Sequence, residues 1–416
     1  MKTVSILLLL SLLGLSAFVL HQKQSFDGAK AYSELKQALD EHYAYLDSAE
    51  RNVAELTETF RSALVDADSQ HSFIDKAQQY VKLFRDPHLN LGPYDENDIS
   101  VYPTGADVYV TYENGNARVI DTKSGSAAHE ANILPGDLIL GIDEHSIDEA
   151  IFEVAGVDSE RLSNGQRDYA LNVALGGKRY QPRQFIIEQQ GEKRTVSLAA
   201  GYDSINALND GPAVSFKRLN NIGYIRFNNG LGNQQTVSGF HSALEQLTGV
   251  EAFIIDMRNT PSGGNTGVAE PILGHFVKEP TAYQQYKVQT GGKSYGDADM
   301  QQAIVTPTSP FISQPFVVLA GRWTGSMGEG MTIAFDALGA KAVIGAPMAD
   351  LLGGIKRVEL PTSGAWLEVG FERLYHINGT FREDFEPDIL LSAADITQSG
   401  EDEALLVAIN LLSEAL

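Results

Sequence analysis

Thr324-Gly325-Ser326-Met327-Gly328-Glu329-Gly330 sets one serine among small residues. The apolar run Phe316-Val317-Val318-Leu319-Ala320 precedes it, and a helical pattern from Met331 to Leu338 follows. A serine on such a strand-to-helix turn is exposed, and the amides that open the helix point outward without intrahelical partners. Those are the parts of a nucleophile with an oxyanion hole. The same residues also suit a helix N-terminus capped by Ser or Thr. A second glycine-rich turn lies upstream in Ile254-Ile255-Asp256-Met257-Arg258-Asn259-Thr260-Pro261-Ser262-Gly263-Gly264-Asn265. It ends an unbroken apolar run that reads as a buried strand, and ligands bind at strand C-termini in open α/β sheets. Glycines there let backbone amides approach a ligand closely. The amide of Gly263 or Gly264 is the candidate second oxyanion donor beside that of Met327, and the alternative is a tight turn with no ligand.

The elements that must position these turns can be read along the chain. Residues 27–86 read as helices, with Phe73, Ala77, Val81 and Phe84 at helical spacing. Asp86-Pro87 stops the last of them, because the residue before a proline avoids helical geometry. His88-Leu89-Asn90-Leu91 then reads as a short strand or loop. Residues 101–200 read as short strands with turns, among them 108–112, 117–120, 184–188 and 194–198. Residues 202–213 are polar, contain Gly and Pro, and suit a linker. From about 214 strands alternate with helices, which is α/β material. The expected division is a signal peptide or N-terminal anchor at 1–22, a helical region at 23–100, a β-rich domain at 101–201 and an α/β core at 214–416.

Two resemblances follow from these residues. Ser124-Gly125-Ser126-Ala127-Ala128 followed by Leu134-Pro135-Gly136-Asp137-Leu138-Ile139-Leu140-Gly141-Ile142-Asp143 resembles a PDZ domain: small residues open a helix, and a Pro-Gly-Asp turn leads into a strand. Such domains bind extended peptides by adding a strand to a sheet edge. The Gly-Leu-Gly-Phe-like carboxylate loop of that family is not evident here. The whole of 214–395, with this segment, resembles the C-terminal processing and tricorn-core family of serine peptidases, the tail-specific proteases. Asp256 to Gly264 resembles the family's Asp-Leu-Arg-Asn-Asn-Pro-Gly-Gly with one extra residue. Thr324 to Glu329 resembles its Thr-Ala-Ser-Ala-x-Glu turn, which maps the nucleophile to Ser326. Ala342 to Pro347 resembles the strand after it, and Gly379 to Asp388, with Glu386-Pro387-Asp388-Ile389, resembles the closing signature. The resemblance implies a multidomain α/β (α+β) protein: an N-terminal helical region, a PDZ-like β-rich domain and a ClpP/crotonase-like peptidase core acting on protein or peptide substrates.

One departure concerns the base. Many processing members carry a lysine soon after that strand, but here Met348-Ala349-Asp350-Leu351-Leu352-Gly353-Gly354 has leucine in its place. The tricorn-like branch uses a histidine from the N-terminal part with a downstream glutamate, and Asp86-Pro87-His88 resembles its Asp-Gly-His segment. The resemblance thus implies His88 as general base and acid. A neutral imidazole, with a reference pKa of about 6.5, can take a serine proton near neutral pH. Glu383 is the implied assisting carboxylate, with Asp384 and Glu386 as alternatives. Lys356, slightly beyond the missing lysine, is the alternative base after a register shift. His376 reads as a surface or pocket-lining residue, and His129, His145, His241 and His275 as ordinary surface or helix-end residues. No His-Glu-x-x-His or comparable ligand cluster is present, so no metal and no cofactor are expected. A rival of another class is a non-catalytic peptide- or lipid-binding protein, such as the retinoid carriers, on the same fold.

Composition narrows the field further. The 416 residues suit two or three domains, and 43% apolar residues suffice for packed cores. A net charge of −23 without a basic stripe argues against nucleic-acid binding. With no cysteine, disulfides, thiol catalysis and lipoprotein-type lipid attachment are excluded. Met1-Lys2 before the apolar run Val4 to Leu20 resembles a bacterial export signal, with an uncleaved inner-membrane anchor as the alternative. The folded part is expected in the periplasm or outside the cell. Nothing in the residues sets the oligomeric state or the cleavage preference.

Overall fold

The computed structural model of the chain describes residues 26–48, 52–289 and 294–415. The apolar N-terminal run therefore lies outside the described residues. Three helices, Gly28–His42, Val53–Val65 and Gln70–Lys82, form the first part. The third starts at Ser69, whose hydroxyl accepts the amide of Ser72 at 3.2 Å, and buries Phe73, Ala77, Tyr80 and Val81 along one face. This is the face read from the helical spacing, although Phe84 lies just past the helix end.

A β-rich unit follows. Its sheet runs in the order Val108–Glu113, Asn116–Thr122, Leu138–Ile142, Arg183–Gln189, Glu192–Leu198, with every neighbouring pair antiparallel. The helices Ile147–Ala155 and Asn164–Ala174 were not anticipated in the sequence. Each begins with a capping box, Ser146 with Glu149 and Ser163 with Gln166. The second lies along the edge strand Val108–Glu113 and occupies its free backbone groups. Asn172 accepts the amide of Val110 at 2.9 Å and donates to its carbonyl at 2.8 Å, while Asp168 accepts the amide of Tyr112 at 2.7 Å. The Val110 amide and carbonyl and the Tyr112 amide are thereby taken from any added strand. Residues 202–213 are only partly a linker, because the helix Gly201–Ala207 occupies their first half.

The last part is a six-stranded sheet in the order Ile389–Leu390, Val343–Gly345, Phe316–Ala320, Ala252–Asp256, Ile222–Phe227, Val214–Leu219. Its strands are parallel except for the antiparallel edge strand Val214–Leu219. Strands Ala252–Asp256 and Phe316–Ala320 are buried throughout, as expected for strands covered on both faces. Helix Glu403–Ala415 supplies Ala404, Ala408 and Leu412 to the core on one face, and helix Met327–Ala337 supplies Met331, Ile333, Ala334 and Phe335 to the core on the other.

One hairpin from this late sequence leaves its own core. Leu360, Ala365, Leu367 and Val369 pack with the N-terminal helices and the β-rich unit. Strand Asn90–Gly92 pairs antiparallel with Ala365–Gly370, which pairs with Ile355–Leu360. This pairing carries residues near position 90 to the loop that precedes Ile355.

Candidate active site

Ser326 ends the turn between strand Phe316–Ala320 and helix Met327–Ala337, with φ 53° and ψ −114°. A non-glycine residue at such a backbone position costs about 1–3 kcal/mol and persists only when its surroundings hold it there. Three contacts do so. Thr324 is buried and donates its hydroxyl to the carbonyl of Met257 at 3.1 Å. Gly325 donates its amide to the carbonyl of Thr260 at 3.2 Å. The Ser326 amide donates to Glu329 Oε2 at 2.6 Å.

The second glycine turn abuts the first. Gly263 has φ +64°, and a Cβ there would lie 2.4 Å from Ser326 Cβ and 2.8 Å from its hydroxyl. A Cβ on Gly264 would lie 2.1 Å from the carbonyl oxygen of Leu231. Only glycine fits at either position. The amide of Gly263 is engaged within the turn, donating to Thr260 at 3.1 Å. Among the described residues, no hydrogen bond engages the amides of Met327 or Gly264. The strand that delivers this turn ends in a buried ion pair. Arg258 donates to both Asp256 oxygens at 3.0 and 2.8 Å and to both Asp402 oxygens at 2.7 and 2.9 Å. Burial would raise the Asp256 carboxyl, but the Arg258 guanidinium overrides it and holds it well below the usual range.

His88 lies just before strand Asn90–Gly92 and is 4% exposed. Its Nδ1 is 3.0 Å from the carbonyl of Leu352. A carbonyl can only accept, so Nδ1 carries the proton and Nε2 the lone pair. Burial pushes the imidazolium down to about 4, so the ring is neutral near pH 7. Asp86 Oδ1 accepts the amide of His88 at 2.8 Å, and burial pushes its carboxyl up to about 7.

The segment Asp350-Leu351-Leu352 ties the histidine to the serine turn. At one end the amides of Asp350 and Leu351 donate to Glu329 at 3.0 and 3.1 Å, and Glu329 also receives the Ser326 amide. At the other end Leu352 holds the imidazole. Glu329 is 2% exposed, and burial pushes it up to about 7 against the pull of Arg382. Arg382 donates to Glu329 at 3.2 Å and also to the carbonyl of Ser326. Glu329, Asp350, Arg382, Glu383, Asp384 and Glu386 line a polar cavity of about 260 Å³.

Glu383 stands on that cavity wall. One of its oxygens accepts Arg373 Nη2 at 2.6 Å, and the other is buried without a partner. No hydrogen bond among the described residues joins His88 to Glu383, Asp384 or Glu386. Lys356 lies on an exposed strand with Nζ 3.3 Å from His42 Nδ1, without the burial that would neutralise a lysine base. For two other histidines the surface alternative fails, leaving a helix-end place for His275 and an interior one for His376. His275 is fully buried, with Nδ1 2.7 Å from the carbonyl of Pro310, because its helix end faces the core rather than solvent. His376 is buried 3.1 Å from Asp336, on the helix that Ser326 opens. Among the described residues no cluster could hold a metal ion. Sequence reading treated Asp86 as a helix stop and Glu329 as a motif letter, and it did not single out Arg382. The Ser-x-x-Glu spacing of Ser326 and Glu329 is itself a capping-box signal.

A family model described as peptidase family S41 matches residues 221–391. Carboxyl-terminal-processing peptidase 2, chloroplastic, of Arabidopsis thaliana is 26% identical over 233 residues, 55% of this chain and 39% of that one. A carboxyl-terminal-processing protease of Synechocystis sp. is 25% identical over 230 residues, 54% of this chain and 47% of that one. The chain thus spans less than half the length of these curated relatives. Among solved structures, a photosystem II D1 C-terminal processing protease superposes with a TM-score of 0.55 at 17% identity, covering 88% of this chain and 93% of that one. Mature CPAF superposes with a TM-score of 0.60 at 13% identity, covering 94% of this chain and 96% of that one. At such identities the structures speak for the fold, while the family model and the curated relatives speak for descent. Residues 221–391 therefore match peptidase family S41 and are similar to carboxyl-terminal-processing peptidases, on a fold shared with the D1 C-terminal processing protease.

Proposed function

We propose that the chain is an exported serine peptidase that hydrolyses peptide bonds of proteins or peptides with Ser326 as nucleophile and His88 as general base. Ser326 attacks the carbonyl carbon as His88 Nε2 takes the hydroxyl proton. The amides of Met327 and Gly264 receive the oxyanion, while Gly263 leaves room for the serine hydroxyl. His88 then gives its proton to the leaving amine, and a water repeats the sequence to release the acyl group. Glu383 assists from the cavity wall, where its unpartnered oxygen can accept from a water rather than from the ring itself.

The observation that carries this reading is the Leu352 carbonyl on His88 Nδ1, which selects the tautomer with a basic Nε2. It also supports a histidine over Lys356. The segment that would bear a lysine base instead bears the carbonyl that orients the imidazole. Export rests on the apolar run Val4 to Leu20. Among the described residues no helix is long and apolar enough to cross a membrane.

The test is labelling by a fluorophosphonate probe together with peptide turnover. Labelling should map to Ser326 and disappear in Ser326→Ala. Replacing His88 by Ala should lower turnover by roughly 10²–10⁴-fold, the usual weight of a general base. Full activity in His88→Ala with loss in Lys356→Ala would overturn the assignment. Intact peptide binding without labelling at any pH would instead place the chain among binding proteins.

A further inference from the structure

A cleft of about 480 Å³ lies away from Ser326, where the turn Ser124-Gly125 of the β-rich unit, residues 208–212 and the edge of the six-stranded sheet meet. Strand pairing determines what faces it. Ser215 lies opposite Arg226 and Lys217 opposite Tyr224. Opposed residues of an antiparallel pair share a face, and so do residues two apart along a strand. Ser215, Lys217, Tyr224 and Arg226 therefore stand together on one face at the sheet edge, and all four line the cleft. Two cations so converge in a chain whose net charge is −23.

Arg226 is the informative residue. Its Nε is buried and has no hydrogen-bond partner. Asp256 and Asp395 lie close enough to offset its charge, but its Nε donates to neither: Asp256 accepts from Arg258 and, at 2.5 Å, from the Tyr224 hydroxyl, and Asp395 accepts from Lys123 at 3.0 Å through one oxygen while the other is unpartnered. A buried guanidinium N–H without an acceptor costs free energy in proportion to the desolvation it has suffered. The Nε atoms of Arg167, Arg179, Arg322, Arg373 and Arg382 are also unpartnered, so what singles out Arg226 is its place on the wall of this cleft beside Lys217 and Ser215. Around it are further donors. Ser215 already accepts from Asn228 at 2.5 Å, so its own hydroxyl proton is free to be given, and Ser124 and Asn209 complete the wall. Lys217, an exposed residue of the lining, holds its ammonium 5.0 Å from the Tyr224 ring centroid. The one acidic side chain on the lining, Asp210, is exposed.

We propose that this cleft is an oxyanion-binding site, with Arg226 at its floor, Lys217 at its rim and the Ser215 hydroxyl between them, for a carboxylate or phosphate group. A planar guanidinium backed by an ammonium and a hydroxyl matches that chemistry, because charge-assisted N–H donors are the strongest partners of carboxylate and phosphate oxygens. Two sources carry such a group: a free small anion, or the terminal carboxylate of a peptide. The site does not depend on the catalytic assignment, since no residue of it belongs to the serine or histidine turns.

Isothermal titration of the full chain carrying Ser326→Ala, at low ionic strength, separates these outcomes. The probes are inorganic phosphate and one short peptide with either a free or an amidated C-terminus. Saturable phosphate binding that weakens by about tenfold or more in Lys217→Met or Arg226→Met supports the site, as expected when one charge-assisted bond is lost. Tighter binding of the free than of the amidated peptide, competed by phosphate, identifies the peptide terminus as the source. Equal binding of the two peptides identifies the small anion. Absence of phosphate and free-peptide binding overturns the proposal. So does binding that is unchanged in Lys217→Met, a substitution on an exposed side chain that leaves the fold intact even if Arg226→Met does not.

Discussion

At the scale of the residue, the chain keeps the buried His88 imidazole neutral in mildly acid conditions that would protonate an imidazole in water. Burial disfavours the charged ring, and the neighbouring Arg382 adds to the effect, while the Leu352 carbonyl works against both. Protonation is therefore deferred to about pH 4 rather than the usual value near 6.5. If His88 is the base, the acid limb of kcat/KM should have its midpoint near 4, because only the neutral ring can take the serine proton. A pH–rate profile of peptide hydrolysis measures this directly. An acid limb that instead falls near 7 would belong to Asp86 or Glu329, both of which burial raises to about 7. The His88 variant decides between them.

At the scale of the element, the helix that Ser326 opens does not hold its serine alone. One buried carboxylate, Glu329, joins the helix start to the 350–352 segment and to Arg382. Its Oε2 receives the Ser326 amide, the Leu351 amide and Arg382. An amide side chain has one acceptor oxygen and cannot reproduce that set. Glu329→Gln should therefore lower kcat by about 10²–10³-fold with KM nearly unchanged, comparable to the loss of one oxyanion donor, because the serine turn and the His88 loop lose their common anchor. Steady-state kinetics beside a thermal melt checks it. A variant as active as the parent would show that the anchor is dispensable.

At the scale of the whole molecule, the β-rich unit is bolted to the peptidase core through buried polar groups. Lys123, fully buried, donates to the Arg258 carbonyl at 2.7 Å and to Asp395 at 3.0 Å, and Asp121 accepts the amide of Ala394 at 2.7 Å. Trp323 adds a bond from its indole to the Ala106 carbonyl at 2.7 Å. Burial and repulsion from Asp395 push Asp121 up to about 7. Asp86 and Glu329 titrate alike, all three above the unfolded carboxyl value of about 4. Between about pH 4 and 7 the native state then holds more protons than the unfolded chain, and stability falls as pH rises through that window. His88 and His275, both lowered by burial, run the other way, but the raised carboxyls, which also include Asp350, Glu372 and Glu383, outnumber them. Urea midpoints should decline from pH 4.5 toward 7.5, and Asp121→Asn should flatten the decline, because it removes one of the raised carboxyls. An unchanged slope would mean that the Asp121 proton is not held in the native junction.

Local sequence determined much of this. A buried strand followed by small residues and a helical pattern marked Ser326, since chain direction and glycine chemistry act over a few residues. Spacing gave the helical face of Phe73, Ala77 and Val81 for the same reason. The helices Ile147–Ala155 and Asn164–Ala174 were overlooked, although both carry capping-box signals. Tertiary structure alone decided the rest. Strand Asn90–Gly92 pairs with a hairpin near residue 367, and this brings His88 to the Leu352 carbonyl. Asn172 and Asp168 close an edge strand that reads as open in one dimension. His275 is buried because its helix end meets a core formed by residues far along the chain. Hydrogen bonds between segments hundreds of residues apart depend on how separate sheets pack, and periodicity within a single segment carries no record of that packing.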